Sequence, residues 1–234
     1  MAFRATGVTV RYGGVLAVDD VSLDVRSGET VGLIGPNGAG KTSFIDAVSG
    51  FTTRAEGTVY LSGETLQGVK PHGRARRGLI RTFQQLELFT DLTVRENIGV
   101  ACRSVTGRQH SDEIERVIAL LELQDDADRR VSELPSGRRH VAALARAAAC
   151  SPRVLLLDEP AAGLDTEESV HLGEFITALA GSGVAILLVD HDMSLVLSVC
   201  DRITVLNFGR VLASGTPAEI RRDEAVLRAY LGEA

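Results

Sequence analysis

Apolar and polar positions alternate along residues 6–12 and 21–25, the period of half-buried antiparallel strands. Residues 30–34 run directly into a glycine-rich turn. Residues 42–49 then carry helical spacing and stop at Gly50, a natural C-terminal cap. Residues 57–61 read as another short strand. From about 92 to 150 the period changes: Ile114, Val117, Ile118, Leu120 and Leu121 recur at helical spacing, and Val141, Leu144 and Ala145 repeat the pattern. This predicts a helical insert.

Residues 154–157 and 184–189 return to continuous apolar runs of strand length, which mark strands covered on both faces of a parallel sheet. Near the end, Thr216 precedes Pro217, and Glu219 follows three residues after the threonine. That is a capping box with proline at the first helical position, and it predicts a C-terminal helix over about 216–231. No repeat or Pro/Gly/Ser-rich linker interrupts the chain. The expectation is one interleaved α/β domain over 1–234, with its helical subdomain at about 92–150.

Composition narrows this only a little. A chain of 234 residues, 44% apolar and 24% charged, is long enough to bury a core and is neither disordered nor fibrous in type. A net charge of −6 argues mildly against nucleic acid as the main partner, and none is expected. No apolar stretch approaches the roughly 20 residues of a spanning helix, and residues 1–14 lack the apolar centre of a signal peptide. The expected location is the cytoplasm. Cys102, Cys150 and Cys200 lie far apart with no metal-ligand spacing, which suits buried thiols in a reducing compartment.

The sharpest chemical signal follows the third strand. Gly35, Pro36, Asn37, Gly38, Ala39, Gly40, Lys41 and Thr42, with Ser43 after them, fit the phosphate-loop pattern between a predicted strand and a predicted helix. Glycines let backbone N–H groups curl round an anion, and the helix directs its positive end at it. Lys41 is expected to reach the β- and γ-phosphates of a nucleotide, with the Thr42 hydroxyl on Mg²⁺. Lys41 and Lys70 are the only lysines in a chain that otherwise uses arginine, so a compact ammonium is wanted here.

The apolar run 154–157 ends in Asp158 and Glu159. Asp158 is placed to hold Mg²⁺, directly or through water, and Glu159 to orient and polarise an attacking water. A second apolar strand ends in Asp190, His191 and Asp192. By itself His191 reads as well as a structural histidine.

Taken together, the phosphate loop, Gln84 after a strand, residues 134–138, Asp158 with Glu159, the Gly163-Leu164-Asp165 turn and His191 resemble, in their order, the motifs of the ATP-binding-cassette family. The resemblance spans essentially the whole chain. It implies a P-loop NTPase fold with a RecA-like parallel core, an antiparallel β subdomain and a helical signature subdomain. It also implies that Tyr12 stacks on adenine, that Gln84 helps bind Mg²⁺ and senses a membrane partner, and that His191 grips the γ-phosphate. Tyr12 keeps a plainer alternative as a strand aromatic, and Gln84 as an exposed glutamine beside Gln85.

In such proteins two subunits, identical or different, pair head to tail across ATP. Each signature loop, here Ser136, Gly137 and Arg138, faces the other's phosphate loop, with Asp165 in the dimer loop. The implied system adds integral-membrane permease subunits and an extracytoplasmic solute-binding protein, with the ATPase peripheral on the inner face of the cell membrane.

The runs Arg76-Arg77-Gly78-Leu79-Ile80-Arg81-Thr82-Phe83-Gln84 and Pro160-Ala161-Ala162-Gly163-Leu164, and the tail from Leu227 to Ala234, resemble the ATPase of branched-chain amino-acid importers. Close relatives of that branch serve urea and other small solutes, and a related ATPase exports lipopolysaccharide. The signature departs from Leu-Ser-Gly-Gly-Gln: Pro135 stands for its serine and Arg138 for its glutamine. The insert is also short between Val100 and Ser111. The altered signature is expected to work through backbone, with Ser136 as the helix N-cap and Gly137, Arg138 and Arg139 presenting free N–H groups. Two alternatives are a soluble ATPase of the same type acting on nucleic acid or the ribosome, and a weakly hydrolysing regulatory subunit.

Overall fold

The computed structural model describes residues 1–107 and 111–231, so the last three residues of the importer-like tail lie outside it, as do three residues between Val100 and Ser111. Two sheets form the frame. β1 (Phe3–Tyr12), β2 (Val15–Val25), β4 (Ala55–Leu61) and β5 (Glu64–Thr65) make an antiparallel sheet in the order β2-β1-β4-β5. Its three longer strands each start earlier than the sequence pattern predicts, because residues ahead of the strict period still pair, Phe3 opposite Val25 and Val15 opposite Tyr12.

The second sheet has the order β10-β9-β3-β8-β7-β6, from β3 (Thr30–Ile34), β6 (Leu79–Arg81), β7 (Val154–Asp158), β8 (Ala185–Val189), β9 (Arg202–Asn207) and β10 (Arg210–Gly215). Its strands are parallel except for the β9–β10 hairpin. β3, β7 and β8 are buried along their whole length, as continuous apolar runs require.

Each face of this sheet packs on a different layer. Val31, Leu33, Val154, Leu156 and Leu187 join the antiparallel sheet and α1 (Lys41–Ser49) in one core. Ile34, Leu155, Leu157, Ile186 and Leu188 join the helical insert and α6 (Thr166–Gly181) in the other.

The insert comprises α3 (Val94–Thr106), α4 (Ser111–Leu120) and α5 (Ser136–Ala148), with short 3₁₀ turns between α4 and α5; α2 (Pro71–Arg76) precedes it. A Thr93/Glu96 capping box starts α3, and α1 ends at Gly50, whose φ of 83° a side chain would resist. The C-terminal helix expected over 216–231 is two helices. The Thr216/Glu219 box starts α8 (Pro217–Ile220), which stops after one turn. The Asp223 carboxylate then accepts from the Ala225 and Val226 N–H groups and starts α9 (Glu224–Leu231) as a separate helix.

Candidate active site

The C-terminal edge of the parallel sheet gathers the chemistry. Residues 35–40 close tightly between β3 and α1. A Cβ at Gly35 would collide with the Leu206 carbonyl and one at Gly40 with the Ala17 carbonyl, so strand neighbours from both sheets pin the loop. Lys41 folds back and donates to the Gly35 carbonyl at 2.6 Å and the Pro36 carbonyl at 3.1 Å. Burial lowers its pKa from the ordinary lysine value, and the charge of Glu159 opposes that shift. The phosphate loop and the Asp158–Glu159 strand end are thus within electrostatic reach.

Asp158 is buried and does not stand free. Its carboxylate pairs with Arg81 at 2.8 Å, while its N–H donates to Thr82 Oγ1 at 3.3 Å. Arg81 also binds Asp46 at 2.7 Å and Ser49 Oγ at 3.0 Å. Glu159 is held at a φ of 49°, a left-handed backbone uncommon for glutamate, with its N–H on the Val189 carbonyl at 2.7 Å. That turn aims its side chain at Gln84, whose Nε2 donates to Glu159 Oε2 at 2.9 Å.

His191 Nδ1 lies 3.8 Å from the same oxygen and 3.7 Å from Asp190 Oδ1. Asp190 is buried and fixes the strand end: it accepts from the His191, Asp192 and Ala161 N–H groups. Thr42, Asp158 and the carbonyl of Gln84 offer only hard oxygen donors, the set that suits Mg²⁺. Tyr12 is exposed at the end of β1, with the Arg54 guanidinium 5.6 Å from its ring centre, so its face carries a cation and is not packed in the core.

The signature segment differs from its expected form. Ser136 is the first residue of α5 and not its cap, because the Pro135 carbonyl already accepts the Arg139 N–H at 3.1 Å and the helix begins one residue earlier. The Gly137 N–H is not free either: it donates to Glu168 Oε1 at 2.9 Å. Glu168 belongs to the box that starts α6, where Asp165 Oδ1 accepts from the Glu168 N–H at 2.9 Å. Arg138 turns away to Asp126 at 2.6 Å and to the Glu122 carbonyl, so its charge serves the insert. Arg139 is tied to the Ser132 carbonyl at 3.0 Å. Gly137 is therefore linked to Asp165 through Glu168, while Arg138 faces the insert.

Three contributors escaped the sequence reading. Arg81 lies in the run from Arg76 to Gln84, where no local pattern marks its role. Glu168 was visible as the fourth residue of Asp-x-x-Glu, a capping-box spacing. Tyr230 of α9 offered no local signal; the Gly35 backbone hydrogen-bonds to its phenol, whose pKa is nonetheless raised by burial.

Between the site and the helical insert opens a cleft of about 560 Å³, lined by Phe51, Phe83, Leu86, Ala101, Val105 and Ala143 among others. Among the described residues no helix is long and apolar enough to cross a membrane.

Comparison with known proteins matches the ABC transporter family over residues 18–162 and a "Branched-chain amino acid ATP-binding cassette transporter" C-terminal family over 210–234. The chain is 43% identical to the high-affinity branched-chain amino acid transport ATP-binding protein LivG of Salmonella typhimurium strain LT2, covering 97% of this chain and 96% of that one. It is 40% identical to the corresponding protein BraF of Pseudomonas aeruginosa, covering 99% and 98%. Its fold superposes on the ADP conformation of an ATP-binding cassette of an ABC transporter with a TM-score of 0.88, at 27% identity and 99% coverage of both chains.

Proposed function

Because this chain belongs to the ATP-binding-cassette transporter family, whose ATP-binding subunits hydrolyse ATP, we propose that it energises uptake of branched-chain amino acids or closely related small solutes. The observation that carries the solute class is likeness to two such subunits across nearly the full length of both chains, including the C-terminal segment. The partner is an integral-membrane permease, with a solute-binding protein delivering cargo outside. The ATPase sits on the inner face of the membrane.

In this reading the γ-phosphate draws the Lys41 ammonium off the Gly35 and Pro36 carbonyls, which hold it until then. Backbone N–H groups of residues 38–43 cradle the phosphates, and Tyr12 stacks on the adenine. Thr42, Asp158 and Gln84 would hold Mg²⁺, which would supply charge neutralisation for phosphoryl transfer. Glu159 takes a proton from the attacking water. His191, close to Glu159, orients that water and holds the γ-phosphate. Little covalent chemistry is asked of the protein; positioning and charge stabilisation do the rest.

A second subunit supplies Gly137 across the nucleotide, and Asp165 at the foot of α6 lies in the same interface. The permease docks in the cleft beside Phe83 and Gln84, so that closure of the two ATPases moves the membrane subunits. The test is reconstitution in liposomes with the co-encoded membrane subunits and binding protein. Leucine accumulation driven by internal or external ATP, according to orientation, supports the solute class. ATP hydrolysis that no co-encoded membrane protein accelerates overturns the transport reading.

A further inference from the structure

We propose that Arg81 is a positioning residue that ties the Asp158 carboxylate to both the phosphate-loop helix and the cleft. This rests on the reading of the cleft as the permease-docking face. From the end of β6 one guanidinium joins two further elements: Nη2 binds Asp158 at the end of β7, and Nη1 binds Asp46 and Ser49 on α1. α1 is the helix that begins at Lys41 and Thr42. The distance between the phosphate-binding end of α1 and the metal-binding carboxylate is therefore set through Arg81. Its side chain is 7% exposed, in a place where an arginine is costly unless each charge is met.

The remaining faces of the cation are aromatic. The guanidinium carbon stands 5.4 Å from the ring centre of Phe51 and 4.9 Å from that of Phe83, and the two rings meet edge to face at 5.4 Å. Both rings line the cleft and are partly exposed in it. Arg81 Nε has no acceptor among the described residues, so the two rings and the Nη contacts are what hold the cation. Phe83 immediately precedes Gln84, whose amide holds Glu159. A partner helix pressing on Phe83 thus acts on two neighbouring carboxylates at once: on Asp158 through Arg81, and on Glu159 through Gln84.

Arg81→Lys keeps the charge and loses the fork that holds two carboxylates and a hydroxyl. Two quantities distinguish positioning from a structural role. Mn²⁺ affinity of the ATP-loaded protein, read by electron paramagnetic resonance, is expected to fall about tenfold, because Asp158 is no longer held in one rotamer. Metal-free ATP affinity should be unchanged. In proteoliposomes the ratio of permease-stimulated to basal hydrolysis should fall towards one.

Asp46→Asn, which leaves the Arg81–Asp158 pair in place, weakens the tether from the α1 side to the Ser49 bond and a neutral amide contact, and should lower both quantities by a smaller factor in the same direction; it carries the test if Arg81→Lys does not fold. Unchanged or tighter Mn²⁺ binding, or undiminished stimulation, overturns the positioning role. Absence of stimulation in the wild-type protein would instead overturn the docking reading, and the metal measurement on the isolated subunit would still decide for Arg81.

Discussion

The Gly137 N–H donates to Glu168 Oε1 at 2.9 Å, so a carboxylate of the same chain occupies the start of the signature helix. Free N–H groups at that end attract anions, and here an internal anion has taken one of them. In the proposed head-to-tail dimer, the partner's γ-phosphate must compete with it. Glu168→Gln keeps the capping-box geometry at α6 but turns a charge-assisted bond into a neutral one, about half as strong. ATP-dependent dimerisation should tighten roughly fivefold, the equivalent of about 1 kcal/mol. Sedimentation with ATP, in the Glu159→Gln background to prevent turnover, measures it; weaker dimerisation would mean that Glu168 supports the interface.

Gly137→Asp should be severe for two reasons. A Cβ there would lie 2.5 Å from Glu168 Oε1, and the new carboxylate would face both that group and the partner's phosphate. Like charges at 4 Å with an effective dielectric of 20 repel by about 4 kcal/mol. Each monomer should still bind ATP through residues 35–43, while dimerisation and hydrolysis disappear together. A variant that hydrolyses at the wild-type rate would refute the shared site.

Glu159→Gln retains side-chain length and the unusual backbone turn while losing basicity. Turnover should fall on the order of 10²–10⁴-fold with ATP affinity intact. Single-turnover kinetics with radiolabelled ATP would show bound, uncleaved nucleotide. Turnover within a few-fold of wild type would assign the base elsewhere.

Lys41 supplies a pH prediction. In the free protein burial depresses its pKa below the ordinary value, and anionic phosphates would raise it on binding. The bound state then holds more protons than the free state in the alkaline range between those two pKa values. ATP binding there should take up protons, and affinity should fall as pH rises through that window. Calorimetry in buffers of different ionisation enthalpy reads the uptake directly. Lys41→Ala should abolish both the uptake and most of the affinity.

Much of this molecule was legible because the relevant patterns are local. The strand–loop–helix over residues 30–49, the buried strands β7 and β8, and the Thr216 cap each depend on residues a few places apart. The C-terminal segment is two helices and not one because the capping box fixes only where a helix starts, while the Asp223 side chain downstream competes for backbone N–H groups. Ser136 looked like a cap by residue type, but the cap is decided by which carbonyl first accepts a helical bond, and that is Pro135. The Arg81–Asp158 and Gly137–Glu168 pairs join residues 77 and 31 positions apart, and no periodicity carries such information.

The two unlike faces of the central sheet give adjacent leucines different neighbours. Leu155 and Leu156 are both fully buried in β7, yet one belongs to the core shared with the helical insert and the other to the core shared with α1 and the antiparallel sheet. Truncation of either to alanine should cost about 2–5 kcal/mol of stability. Their functional shadows should diverge: a void behind Leu155 loosens the insert, which in the proposed reading meets the permease, whereas one behind Leu156 slackens α1, the helix that follows the phosphate loop. A single strand thus separates transmission from fuel, and a shift of one residue along it decides which of the two a lesion impairs.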